Sequence, residues 1–112
     1  MPLFRKKRTG PSQEHAVILH YRLSGDEFGT DEEREAVRDL EGRLEAAVVA
    51  AGAGEYDGNE FGQGEVVLYL YGSDKDRLWA AVEQEAREFP LRPAFALLRA
   101  GGPDVAPEQV NL

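Results

Sequence analysis

The chain predicts an α+β domain in which two helices pack on one face of a four-stranded antiparallel sheet. Three observations carry this expectation. Two segments repeat apolar residues every three or four positions, four others read as extended, and a glycine-flanked turn joins two of these into a hairpin. A length of 112 residues allows one hydrophobic core and no second.

Residues 15–23 (HAVILHYRL) are rich in β-branched and aromatic types and read as the first strand. Alternation puts Val17, Leu19, Tyr21 and Leu23 on one face, with Ile18, His20 and Arg22 on the other. The first helix begins at Thr30, because Thr30-Asp31-Glu32-Glu33 is a capping box whose acidic residues also suit the positive end of the helix dipole. Val37, Leu40, Leu44, Val48 and Ala51 form its apolar stripe, and Gly52 and Gly54 supply the stop. Residues 55–61 and 65–71 flank Gly62-Gln63-Gly64 as a hairpin. The first of these strands is polar, as suits an edge. The second helix is expected to start at Ser73, to present Leu78, Val82, Ala86 and Phe89, and to end at Pro90. Residues 94–100 give the last strand. The order β-α-β-β-α-β with right-handed crossovers predicts a ferredoxin-like sandwich, strands one and three central. Residues 1–13 read as a flexible basic arm, 14–101 as the domain and 102–112 as a tail in which residues 109–112 have room for a short pairing.

Charge narrows the partners. The formal net charge is −8, and four of the thirteen basic residues lie at Arg5, Lys6, Lys7 and Arg8. The remainder holds nine basic against twenty-one acidic residues, a formal −12. Such a surface repels phosphate backbones, so no nucleic acid is expected, whereas a basic protein surface is attracted. No apolar run reaches the ~20 residues of a membrane span. The basic run is followed by Thr9-Gly10-Pro11-Ser12, where a secretory signal would be apolar, so a cytoplasmic protein is expected. Cysteine is absent, which excludes a disulfide framework and a thiolate metal site.

Helices on one side leave the other sheet face open. Val67, Tyr69 and Tyr71 point to it, joined by Ile18 and His20 and by Phe95 and Leu97. Shielding by the arm or the tail, and sheet-to-sheet association with a partner or a second copy, both account for such a face. RNA binding by stacked aromatics does not, because the third strand opens Gly-Glu-Val-Val where a basic-Gly-aromatic run is needed.

Around the hairpin, Tyr56, Asp57, Asn59, Glu60 and Glu65 form an oxygen-rich segment. An EF-hand beginning at Asp57 would place Phe61 at its fifth position and Leu68 at its twelfth, so that motif is excluded. There is no G-x-S-x-G, P-loop or H-E-x-x-H. His15 and His20 face opposite sides of one strand. No catalytic residue, metal site or cofactor is expected.

The run Tyr56-Asp57-Gly58-Asn59-Glu60-Phe61-Gly62, continued by Glu65 and by Leu68-Tyr69-Leu70-Tyr71-Gly72-Ser73-Asp74, resembles a family of small bacterial proteins. The likeness covers most of residues 15–100 and implies a ferredoxin-like fold without an assigned activity. Glu55-Tyr56-Asp57-Gly58 and the acidic character also resemble the ribonuclease E regulator proteins, which inhibit by binding an enzyme, although this chain lacks a long acidic tail. The expected function is a non-enzymatic protein-binding or regulatory module acting through Tyr69, Tyr71 and His20, or through the hairpin residues Tyr56, Asp57, Asn59, Glu60 and Glu65, on a protein partner or its own copy. The alternative is a sensor or enzyme binding a small molecule or divalent cation around Tyr56–Glu65.

Overall fold

The computed structural model describes residues 14–112. The arm expected over residues 1–13 lies outside them. The elements are β1 (His15–Arg22), α1 (Asp31–Ala51), β2 (Glu55–Gly62), β3 (Glu65–Gly72), α2 (Lys75–Glu88), β4 (Ala94–Arg99) and β5 (Glu108–Asn111). They build an α+β protein with one antiparallel sheet in the order β2-β3-β1-β4-β5. The sheet thus has five strands, not four. Residues 108–111 pair with β4, taking up its backbone groups, and half-bury Val110 and Leu112 against the core.

Both helices lie on one face. Val17, Leu19 and Tyr21 of β1, Val66, Leu68 and Leu70 of β3, and Ala94, Ala96 and Leu98 of β4 meet Val37, Leu40, Leu44 and Val48 of α1 and Leu78, Val82 and Ala86 of α2 in one cluster. Burying each leucine or valine there contributes about 1.5–3 kcal/mol. Tyr21 brings a hydroxyl into this core and donates it to the Ala86 carbonyl at 2.7 Å. Burial pushes that hydroxyl's pKa well above the ordinary tyrosine value.

Helix α1 begins as its capping box requires. Glu33 N–H donates to Thr30 Oγ1, and Thr30 N–H donates to Glu33 Oε1, each at 3.0 Å. Gly52, at φ +60°, closes the helix in the left-handed conformation. Ala51 is exposed, so the apolar stripe ends at Val48. The cap of α2 is Asp74, one residue later than expected: its carboxylate accepts from the Asp76 and Arg77 amides. Ser73 and Asp74 are both competent caps, and a carboxylate opposite orphan amides is the stronger acceptor. The hairpin between β2 and β3 turns through two residues, Gln63 at φ +54° and Gly64 at φ +76°, the positive φ pair of a type I′ turn.

Backbone amides hold the Glu33 and Asp74 carboxyls below their ordinary pKa values, through Thr30 N–H foremost for Glu33 and Asp76 N–H foremost for Asp74. A depressed carboxyl stabilises the fold at pH values above its unfolded pKa, and that contribution is lost as pH falls through the lower folded value. Acid denaturation is therefore expected below about pH 4. Glu33→Gln combined with Asp74→Asn should flatten the acid limb of a plot of urea midpoint against pH.

Candidate functional site

The face opposite the helices is organised by the ladder pairings. Glu60, Val67, His20, Phe95 and Asn111 form one row across the five strands, and Gly58, Tyr69, Ile18, Leu97 and Gln109 form the next. Glu55, Tyr71, Ala16 and Arg99 lie beyond them towards one end, and Gly62, Glu65 and Arg22 towards the other. Tyr69 and Tyr71 therefore stand on the face expected for them, with His20 beside them.

Side chains on this face engage one another. His20 stacks on Phe95 with ring centroids 4.4 Å apart and planes 10° from parallel. Its Nδ1 lies 3.5 Å from Glu65 Oε1, an ion pair when the imidazole is protonated. Tyr69 donates its hydroxyl to Glu60 Oε1. Glu60 Oε2 and His20 Nδ1 are both buried without a hydrogen-bond partner among the described residues. An open pocket of roughly 230 Å³ is lined by Glu60, Phe61, Gly62, Gln63, Glu65 and Val67. Ile18, Tyr69, Phe95 and Leu97 are half-buried. Ala16, Val67 and Tyr71 retain only 0%, 8% and 4% exposure, although no helix lies over them.

The hairpin residues do not form one group. Tyr56, Asn59 and Phe61 pair with Leu70, Leu68 and Val66 and so face the helices, whereas Glu60 and Glu65 face away. Asp57 is the extra residue of a β-bulge between Tyr56 and Gly58. Tyr56 donates its hydroxyl to Glu41 Oε2 of α1, and Asn59 Nδ2 donates to the same oxygen at 2.7 Å. Burial, and then the Glu41 carboxylate, push the Tyr56 hydroxyl's pKa far above its ordinary value. Tyr56 and Asn59 thus join the edge strand to α1, and the sheet lies between them and the carboxylates of Glu60 and Glu65. Among the described residues no group of three or more His, Asp or Glu side chains is placed to hold a metal ion. No helix among them is long and apolar enough to cross a membrane.

Glu41 is a residue that sequence reasoning missed. Its signal is slight: it lies four positions after Val37 and three before Leu44, at the border of the apolar stripe, where a long side chain can reach a neighbouring strand.

No protein-family model and no curated protein matches the chain. Among solved structures, a phage SAM lyase in complex with S-methyl-5′-thioadenosine is similar over 95% of this chain and 95% of its own. The identity is 13% and the TM-score 0.44. That likeness is too shallow to bear on activity.

Proposed function

We propose that this chain is a non-enzymatic interaction module, a ferredoxin-like sandwich with an added fifth strand, that binds a protein through the sheet face opposite its helices. The observation that supports this most is the apolar centre of that face, Ile18, Tyr69, Phe95 and Leu97, bordered by Glu60 and Glu65. Partly apolar faces rimmed by charge suit protein contact. The formal −12 outside the first eight residues favours a basic partner surface. The resemblance of Glu55-Tyr56-Asp57-Gly58 to ribonuclease E regulators, which inhibit by binding an enzyme, supports a regulatory role exercised on a protein partner. A second copy of the chain is the other occupant consistent with an apolar face. The small-molecule or cation alternative is weaker, because its residues divide between the two faces of the sheet.

Calorimetric titration against purified ribonuclease E, with light scattering of the chain alone, tests this reading. Ile18→Asp and Tyr69→Ala should each weaken binding or self-association at least about tenfold, as loss of a contact-centre side chain does. Val49→Asp, at a position 68% exposed on α1, should leave it unchanged. A monomer at all concentrations that neither binds the enzyme nor responds to these substitutions overturns the reading.

A further inference from the structure

We infer that this chain joins a second copy of itself edge to edge, β5 against β5 about a two-fold axis, so that the two five-stranded sheets become one. The β4–β5 ladder fixes which way the main chain of β5 points. Leu112 N–H donates to the Ala94 carbonyl at 3.0 Å, in the same register that pairs Ala96 with Val110 and Leu98 with Glu108. Antiparallel pairs alternate between bonded and non-bonded, so Glu108, Val110 and Leu112 turn their N–H and C=O groups to β4. Gln109 and Asn111 therefore turn theirs outward. Among the described residues, one of these outward groups has a partner: Arg87 Nη1 donates to the Asn111 carbonyl at 3.4 Å. Glu108, Gln109 and Asn111 are exposed, and an open strand edge of this kind recruits another strand.

Register selects the occupant. A two-fold axis at Val110 sets Gln109 opposite Asn111 of the second copy, twice over, and each such pair exchanges two main-chain bonds. The two copies of Val110 then meet on the helix side as a non-bonded pair, with Cα atoms about 4.5 Å apart. Glu108 comes opposite Leu112, so no two acidic side chains of β5 oppose each other. Lys75 Nζ, 3.7 Å from Glu108 Oε1, further offsets that carboxylate. On the other face, Gln109 and Asn111 bring amide against amide, each both donor and acceptor. The helix side adds apolar area at the seam. Val110, Leu112 and Trp79 of α2 are half-buried, and Arg87 spans them, 5.9 Å from the Trp79 ring centre and bonded to Asn111. The part of Trp79 that the core leaves exposed flanks the join on each copy, and tryptophan is enriched among residues that dominate contact energy.

This pairing uses the edge of the sheet and does not depend on the face assigned to a protein partner. The chain has no cysteine, so Val110→Cys in the full-length protein sets one thiol on each side of the axis. Their Cα separation suits a disulfide, and air oxidation should convert most of the protein to a covalent dimer. Val49→Cys, exposed on α1, should stay largely monomeric under the same conditions. In sedimentation, the parent should show a monomer–dimer equilibrium. Gln109→Pro removes an outward donor from each copy and spares the bonds to β4, so it should weaken the dimer at least about tenfold. An unfolding midpoint near the parent's shows that this variant folds. In the parent, amide exchange at Gln109 and Asn111 should slow as concentration rises. Ile18→Asp, on the sheet face, should leave dimer and crosslink intact, which separates this inference from the functional reading. A parent that is monomeric at every concentration, a dimer that survives Gln109→Pro or is lost with Ile18→Asp, or equal crosslinking of the two cysteine variants overturns it.

Discussion

Gly54→Ala should lower stability by about 3–5 kcal/mol, enough to unfold much of the protein if its total lies in the ordinary 5–15 kcal/mol range. Gly54 sits at φ +153°, and a Cβ there would lie 2.0 Å from the Tyr71 carbonyl oxygen and 3.0 Å from Gly72 Cα. Both obstacles are backbone, so no rotamer change relieves them. Gly72 makes the reciprocal contact, its Cβ position falling 2.2 Å from the Ala53 carbonyl oxygen. The start of β2 and the end of β3 thus approach main chain to main chain. Backbone strain of about 1–3 kcal/mol adds to an overpacking cost of similar size. Gly42→Ala gives the opposite sign. Gly42 lies within α1 with nothing within 4 Å of the added carbon, so alanine should stabilise by about 0.5–1 kcal/mol. Urea unfolding of the two variants beside the parent reads both effects, and a Gly54→Ala protein of parental stability would contradict the close approach.

The second large effect is expected at Glu41. Glu41→Ala removes the acceptor of two donors at once, the Tyr56 hydroxyl and Asn59 Nδ2, in a half-buried setting. Stranding them costs about 2–3 kcal/mol. Tyr56→Phe should cost less, because it removes a donor and leaves Glu41 bonded to Asn59. The pair's coupling in a double-mutant cycle should be about 1–2 kcal/mol. A pH signature accompanies it. Burial and Glu41 raise the Tyr56 pKa above the 10.0 of an ordinary tyrosine, so the neutral hydroxyl is favoured in the folded state. That stabilisation is fully present below the unfolded pKa and declines as pH rises above it. Stability should therefore fall above about pH 10. Tyr56→Phe should make the alkaline decline shallower, leaving the part due to Tyr21, whose pKa burial raises in the same direction. Strict additivity in the cycle would show that the contact does not form.

The parts of the fold legible in the sequence are those governed by local rules. Thr30 and Glu33 are three residues apart and cap α1 between themselves, and Val37, Leu40, Leu44 and Val48 repeat with the helical period, so both features could be read from the chain alone. Alternation likewise placed Tyr69 and Tyr71 away from the helices, because parity along a strand survives small errors at its ends. What escaped depends on distant partners. Four mainly polar residues, Glu108–Asn111, carry little strand signal of their own, and only the unpaired edge of β4 makes them a strand. Tyr56, Asp57, Asn59, Glu60 and Glu65 look like one cluster in a line of text. The pleat and the bulge at Asp57 divide them, and a glutamate on α1, 15 residues from Tyr56, claims two of them.

The two borders of the sheet differ in how they receive another strand. The β2 border is interrupted at Asp57 and carries Gly58, which breaks the regular spacing of amides and carbonyls that a newcomer must match. The β5 border is short but unbroken over its four residues. Among the described residues, lateral addition of a further chain thus has one regular border, at β5, and main-chain bonds formed there would join two molecules instead of running on as a fibre.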